Sequence, residues 1–78
     1  MRQGNKNFKN FVDSMGKNIK LIRRKKNLSQ EDLAFELNTA PQYIGCIERG
    51  EKVPSIKFLF RIATVLETSI EVLVTRSK

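Results

Sequence analysis

The residues able to do chemistry in this chain are few, and their absences narrow the choice. There is no histidine and one cysteine, Cys46. The commonest general base and most zinc sites are therefore missing, and no disulfide can form within the chain. The carboxylates sit mostly where helices are expected to begin, and no nucleophile–base pair or metal cluster stands out. No enzyme, cofactor, metal or small-molecule substrate is expected. What the chain does carry is cationic charge, unevenly spread. Residues 1–30 hold nine Lys/Arg against one acid, Asp13, for a local +8, whereas residues 31–50 carry −3 and residues 51–78 carry +2. A concentrated basic surplus suits a polyanion such as DNA, RNA or an anionic membrane, although it also solubilises a surface.

The elements that must position these charges follow from apolar spacing. Residues Met1–Asn7 are polar and basic and read as a mobile arm. From Phe8 the apolar positions Phe11, Val12, Met15, Ile19 and Ile22 recur at helical spacing. Ser14 offers an alternative cap for a shorter helix starting near Met15. Residues 1–13 are thus an arm or a helix extension, and residues 14–78 form the domain. The first helix runs to about Lys26 and stops at Asn27. Ser29 reads as the cap of a second helix, with Asp32 three residues on in a capping-box position and Leu33, Ala34 and Leu37 as the buried side. Asn38 ends it, since Asn tolerates the left-handed conformation. Pro41 opens a third helix whose buried face is Ile44 and Ile47, and Gly50 stops it. Pro54-Ser55 opens a fourth with a face of Ile56, Leu59, Ile62, Ala63 and Leu66. Ser69 caps a short fifth, Ile70 to about Val74. The expected fold is all-α, a five-helix bundle.

The second and third helices are joined by about three residues, the spacing of a helix-turn-helix. The run Leu28-Ser29-Gln30-Glu31-Asp32-Leu33-Ala34, then Tyr43-Ile44, then Ile47-Glu48-Arg49-Gly50 and Pro54, closely resembles the Cro/repressor helix-turn-helix family. The likeness extends back to Ile19 and Arg23 and forward to Leu66, Ser69 and Leu73. That family includes phage repressors, Cro proteins, antitoxins and the controller proteins of restriction–modification systems. The resemblance implies the lambda repressor-like fold and double-stranded DNA as partner, with the third helix lying in the major groove.

On that resemblance, Ala40, Pro41, Gln42 and Tyr43 face base edges near the start of the recognition helix. Cys46 lies one turn later and Arg49 at the far end. Gln42 leads, because its amide both donates and accepts and so matches adenine N6 and N7. Pro41 offers only apolar contact, as with a thymine methyl. Gln30 is expected on a phosphate at a helix N-terminus. Tyr43, Arg49, Lys20, Arg23, Lys52 and Lys57 join it as phosphate contacts, with Arg24, Lys25 and Lys26 on the wider track. Arg23 and Glu48 are implied as a partly buried ion pair linking the first and third helices. The sequence departs from the family pattern in places. Asn38 replaces a usual Gly, Thr39 an apolar residue, Ala40 a Ser or Thr cap, and Gly45 a Ser or Ala. Gly within a helix costs about 1 kcal/mol relative to Ala.

A chain this short buries only on the order of 60–65% of its unfolded surface, and self-association is a common remedy. Phe60 and Val65 fall off the buried face of the fourth helix, and clustered exposed apolar residues suggest an interface. The same residues could instead pack under Phe8, Phe11 and Val12. Relatives use this C-terminal region to dimerise, so Ile70, Val72, Leu73 and Val74 are expected near a two-fold axis. Such a homodimer would read two half-sites of a palindrome about 34 Å apart. The expected role is a small transcriptional regulator without the protease-like domain of longer phage repressors. An antitoxin-like protein-interaction module that also binds DNA is the alternative. No apolar run approaches the ~20 residues needed to cross a membrane. The basic start has no apolar segment behind it, so a cytoplasmic protein, bacterial or phage-encoded, is expected.

Overall fold

Serine hydroxyls start three of the helices. Ser29, Ser55 and Ser69 each sit in extended backbone and accept a hydrogen bond from the amide three residues on, satisfying a donor that the helix leaves open. At Ser29 the exchange is reciprocal: Asp32 N donates to Ser29 Oγ at 2.9 Å, and Ser29 N donates to Asp32 Oδ2 at 2.8 Å. The Ser29 backbone N–H, and after it the Ser29 hydroxyl, hold the Asp32 carboxyl below its ordinary pKa. Ala40 offers no side-chain cap, and Pro41 behind it needs none for its missing N–H.

The computed structural model describes the backbone of residues 2–76 and the side chains of residues 7–76. Among the described residues there are five helices and no strand: α1 Arg2–Lys25, α2 Gln30–Leu37, α3 Pro41–Glu48, α4 Ile56–Val65 and α5 Ile70–Val74. Asn27, Asn38 and Glu67 take left-handed φ values of 60°, 57° and 58° in the connections after α1, α2 and α4. Met15 and Ile19 of α1 meet Leu33, Ala34, Leu37, Ile44, Ile47, Leu59, Ile62, Ala63, Leu66 and Leu73 in one core.

Five expectations change here. The polar segment 2–7, expected as an arm, is the start of α1, and Met1 lies outside the described residues. Once Val12 and Met15 are anchored in the bundle, each further residue toward the N-terminus extends an existing helix rather than nucleating one. Ser14 therefore lies inside α1 and caps nothing. Ile56, expected on the buried face of α4, is 74% exposed because it is the first residue after the Ser55 cap, beyond the reach of the core. Val65, expected off that face, is half-buried against the core. Leu73, expected at a dimer axis, is fully buried inside its own subunit, and Ile70 and Val74 pack half-buried around it.

Two residues of α1 set the packing. Asn18 Nδ2 donates to the carbonyls of Leu73 and Thr75 at 2.8 and 2.7 Å, which ties the end of α5 to α1. Gly16 allows α1 to lie directly on the end of α3. A β-carbon there would stand 2.5 Å from the carbonyl oxygen of Ile47 and 2.6 Å from that of Glu48. Backbone on both sides cannot yield as a side-chain tip can. Gly16→Ala is therefore expected to lose about 1–3 kcal/mol of stability, read as a lower urea midpoint at unchanged slope. An unchanged midpoint would mean that the two helices are not in contact at Gly16.

Candidate nucleic-acid interface

Residues 38–40 join α2 to α3. Asn38 in left-handed backbone lets its own N–H return to the carbonyls of Ala34 and Phe35, closing the end of α2. Behind this turn, Arg61 of α4 donates to Leu37 O at 2.9 Å. Its guanidinium lies 5.5 Å over the ring of Phe58, and that ring sits 5.4 Å from Tyr43. The stack links the carboxyl end of α2, α4 and α3. It occupies the ring of Tyr43 with α4 rather than leaving it outward.

On the α1 side, Arg23 meets Glu48. Arg23 Nε donates to Glu48 Oε2 at 2.7 Å and Nη2 to Oε1 at 3.0 Å, while Nη1 donates to Leu28 O at 2.8 Å. Gln30 Nε2 adds a donor to Glu48 Oε1 at 3.0 Å. The side chains are 7% and 2% exposed. All three guanidinium nitrogens of Arg23 are thus used within the fold. The phosphate contact expected of Arg23 is withdrawn, because each guanidinium nitrogen is engaged within the fold and the side chain is buried.

The outward face of α3 is formed by Gln42, Cys46 and Arg49, four and three residues apart. Gln42 and Arg49 are exposed and Cys46 is half-buried. With Gln30, Pro41 and Gly45 they line a shallow groove of about 550 Å³. Ala40 is exposed at its start. Glu51 holds Arg49 at the far end, accepting from Nε at 2.9 Å and from Nη2 at 3.2 Å, and Nη2 also reaches Cys46 Sγ at 3.7 Å. This pairing raises the Arg49 pKa and lowers that of Glu51, mainly through the hydrogen bond between them. Beyond the end of α3, Lys9 and Lys17 of α1 line a second groove with Asp13, Glu48 and Arg49. Lys20, Lys52 and Lys57 are exposed. Lys26 is paired with Glu67. The face can supply hydrogen bonds and cationic charge to an anion, and no group of three or more His, Cys, Asp or Glu among the described residues could hold a metal ion.

Of the residues expected at a dimer interface, Phe60 and Val72 are exposed, at 63% and 47%. Leu21 of α1 shares a small groove with Val72 and was not anticipated. Gly16, Asn18, Arg61 and Glu51 were likewise missed. A glycine inside an otherwise helical pattern was the one available signal, for Gly16.

The chain is similar to known proteins in both sequence and structure. The family model described as helix-turn-helix matches residues 19–73. The control protein C.SmaI of Serratia marcescens is 35% identical over 69 residues, covering 88% of this chain and 82% of that protein. Among solved structures, the restriction–modification controller protein C.AhdI from Aeromonas hydrophila superposes with a TM-score of 0.76 at 32% identity, over 80% of this chain and 94% of that one. SinR, a master regulator for biofilm formation solved in complex with DNA, superposes with a TM-score of 0.73 at 35% identity, over 78% and 98%. With a two-helix motif braced by Arg23–Glu48 and a polar outer face on α3, the chain belongs to the Cro/repressor-type helix-turn-helix family of DNA-binding transcriptional regulators.

Proposed function

We propose that the chain acts as a homodimer that reads a palindromic operator through the major groove, with α3 as the recognition helix. The observation that carries this reading is the Gln42–Cys46–Arg49 face, which the fold leaves open to solvent while fixing the helix from behind. Gln42 is the principal base reader, matched to adenine. Pro41, Ala40 and Cys46 provide the shallow surface around it. Lys20, Lys52 and Lys57 hold phosphates, joined by the hydroxyl of Tyr43, and fix register rather than sequence. Lys17 extends this track past the end of α3. Phe60 and Val72, with Leu21, form the dimer contact in place of Leu73. The regulator works in the cytoplasm of a bacterium or on behalf of a phage.

The test is selection of bound sites from a random duplex library at about 150 mM salt. A palindrome with half-sites about one helical turn apart is expected. Gln42→Ala should then relax one position in each half-site, a loss of about 1–3 kcal/mol of discrimination there. Recovery of no motif, with binding that vanishes as salt rises, would leave only the phosphate term. The chain would then be read as an antitoxin-like module whose main partner is a protein.

A further inference from the structure

Phe8 and Phe11 stack on one another near the start of α1, with ring centroids 6.4 Å apart. They lie outside the helix-turn-helix region, which begins at residue 19. Phe8 continues the stripe of Val12, Met15 and Ile19 at helical spacing. Those three are at most 4% exposed, whereas Phe8 is 54% exposed: its own subunit leaves it half uncovered. Beside this stripe, Asn7, Phe11, Ser14, Asn18 and Leu21 fall alternately four and three residues apart, the spacing of a seam between paired helices. None of the five is charged, and Lys9, Asp13, Lys17 and Lys20 all fall off the seam. At its far end lies a groove of about 180 Å³ lined by Asn18, Leu21, Ile22, Lys25 and Val72. A cavity of about 150 Å³ is enough to hold a benzene ring.

We propose that two copies of the chain pair through antiparallel α1 helices, with Phe8 of each entering the Leu21–Val72 groove of the other. The proposal rests on the homodimer reading and assigns its contact. In a two-fold contact, positions equally far from the axis meet. An axis beside Ser14 and Met15 therefore sets Phe8 of one copy against Leu21 of the other, and Phe11 against Asn18. Asn18 is a fixed wall there, since its amide is held by the carbonyls of Leu73 and Thr75. Charge favours a second copy along this line. Each chain carries +7, so two copies approach best where cations do not oppose each other. In this register Lys17 comes toward Asn10 of the second copy. The area is also sufficient. The exposed parts of Phe8, Phe11, Leu21 and Val72 come to about 350 Å² per copy, or about 700 Å² for the pair. The polar seam between them brings the contact to the roughly 1,000–1,200 Å² that a specific interface needs.

The experiment is sedimentation equilibrium of the full chain over a range of concentrations, on the wild type, Phe8→Ser, Val72→Ser, the double variant and Phe60→Ser, with a thermal melt of each. Phe8→Ser and Val72→Ser should each raise the dimer Kd about tenfold. The double variant should fall well short of the product of the two, because the residues touch across the interface. Phe8→Cys with Leu21→Cys, in a Cys46→Ser chain, should oxidise to a covalent dimer without DNA. Either cysteine alone should not, because the two copies of each position stand at opposite ends of the pair. A wild-type dimer that Phe8→Ser leaves intact and that gives no crosslink overturns the pairing and spares the homodimer reading, as does a loss confined to Phe60→Ser. A wild type that stays monomeric at every concentration, and on a duplex with two half-sites, overturns both.

Discussion

Glu48→Ala is expected to lose about 3–5 kcal/mol of folding stability, the range seen when one partner of a buried ion pair is removed. The size follows from what remains. The Arg23 guanidinium, 7% exposed, would keep a single partner, Leu28 O, with its charge uncompensated. Gln30 would lose its acceptor as well. The exposed pairs Lys9–Asp13 and Arg49–Glu51 belong to another regime, in which solvent screening leaves little stability to lose on breaking them. Marginal stability of about 0.05–0.15 kcal/mol per residue means that the Glu48 loss consumes much of the total for a chain of 78 residues. Urea denaturation reads it directly. The double variant Arg23→Met with Glu48→Met separates the pair's charge from its shape: a well-packed apolar replacement is commonly neutral or stabilising. A single variant that loses less than about 1 kcal/mol would show the pair to be solvated.

The parts of this structure legible in the sequence are those governed by local rules. Ser29 with Asp32, and Ser69, announce helix starts because capping depends on residues three apart, and Asn38 marks a left-handed exit for a similarly local reason. The long apolar stripes identify their buried faces. Leu73 shows where that ends. A helix of five residues has little more than one turn, so spacing cannot tell which of Val72, Leu73 and Val74 points inward; contact with α1 decides it. The roles of Gly16 and Asn18 could not be read for a related reason. One matters through a close approach to Ile47 and Glu48, and the other through carbonyls more than fifty residues away. The pairing of Arg23 with Glu48 came from family resemblance, and no spacing rule links residues 25 apart. The site was legible through the family resemblance more than through composition or spacing. Gln42, Cys46 and Arg49 are expected on one face of α3 from that resemblance, whereas the holding of Arg49 by Glu51 and of Gln30 by Glu48 is seen only in the folded chain.

DNA affinity is expected to fall steeply with salt, by about 10³–10⁵ between roughly 50 and 200 mM for a protein that neutralises 6–10 phosphates. The proposed cations Lys20, Lys52 and Lys57, with Lys17 beside the end of α3, give a homodimer a phosphate track in that range. They are exposed, so each can release a condensed counterion without first leaving the fold. The net charge of +7 is not itself the cause: an evenly spread surplus would raise solubility and long-range steering, but would not produce a slope of this size. Fluorescence anisotropy titrations of a labelled duplex at several salt concentrations measure the slope. Lys52→Gln should weaken binding to specific and nonspecific duplexes alike, and reduce the slope by about 1 for each protomer bound. Lys26→Gln is the contrast, because its ammonium is already paired with Glu67 and its removal takes away little free charge. Equal effects of the two substitutions would mean that net charge, and not the placement of cations around α3, controls affinity. A difference confined to Lys52 would locate the DNA backbone beside the carboxyl end of the recognition helix.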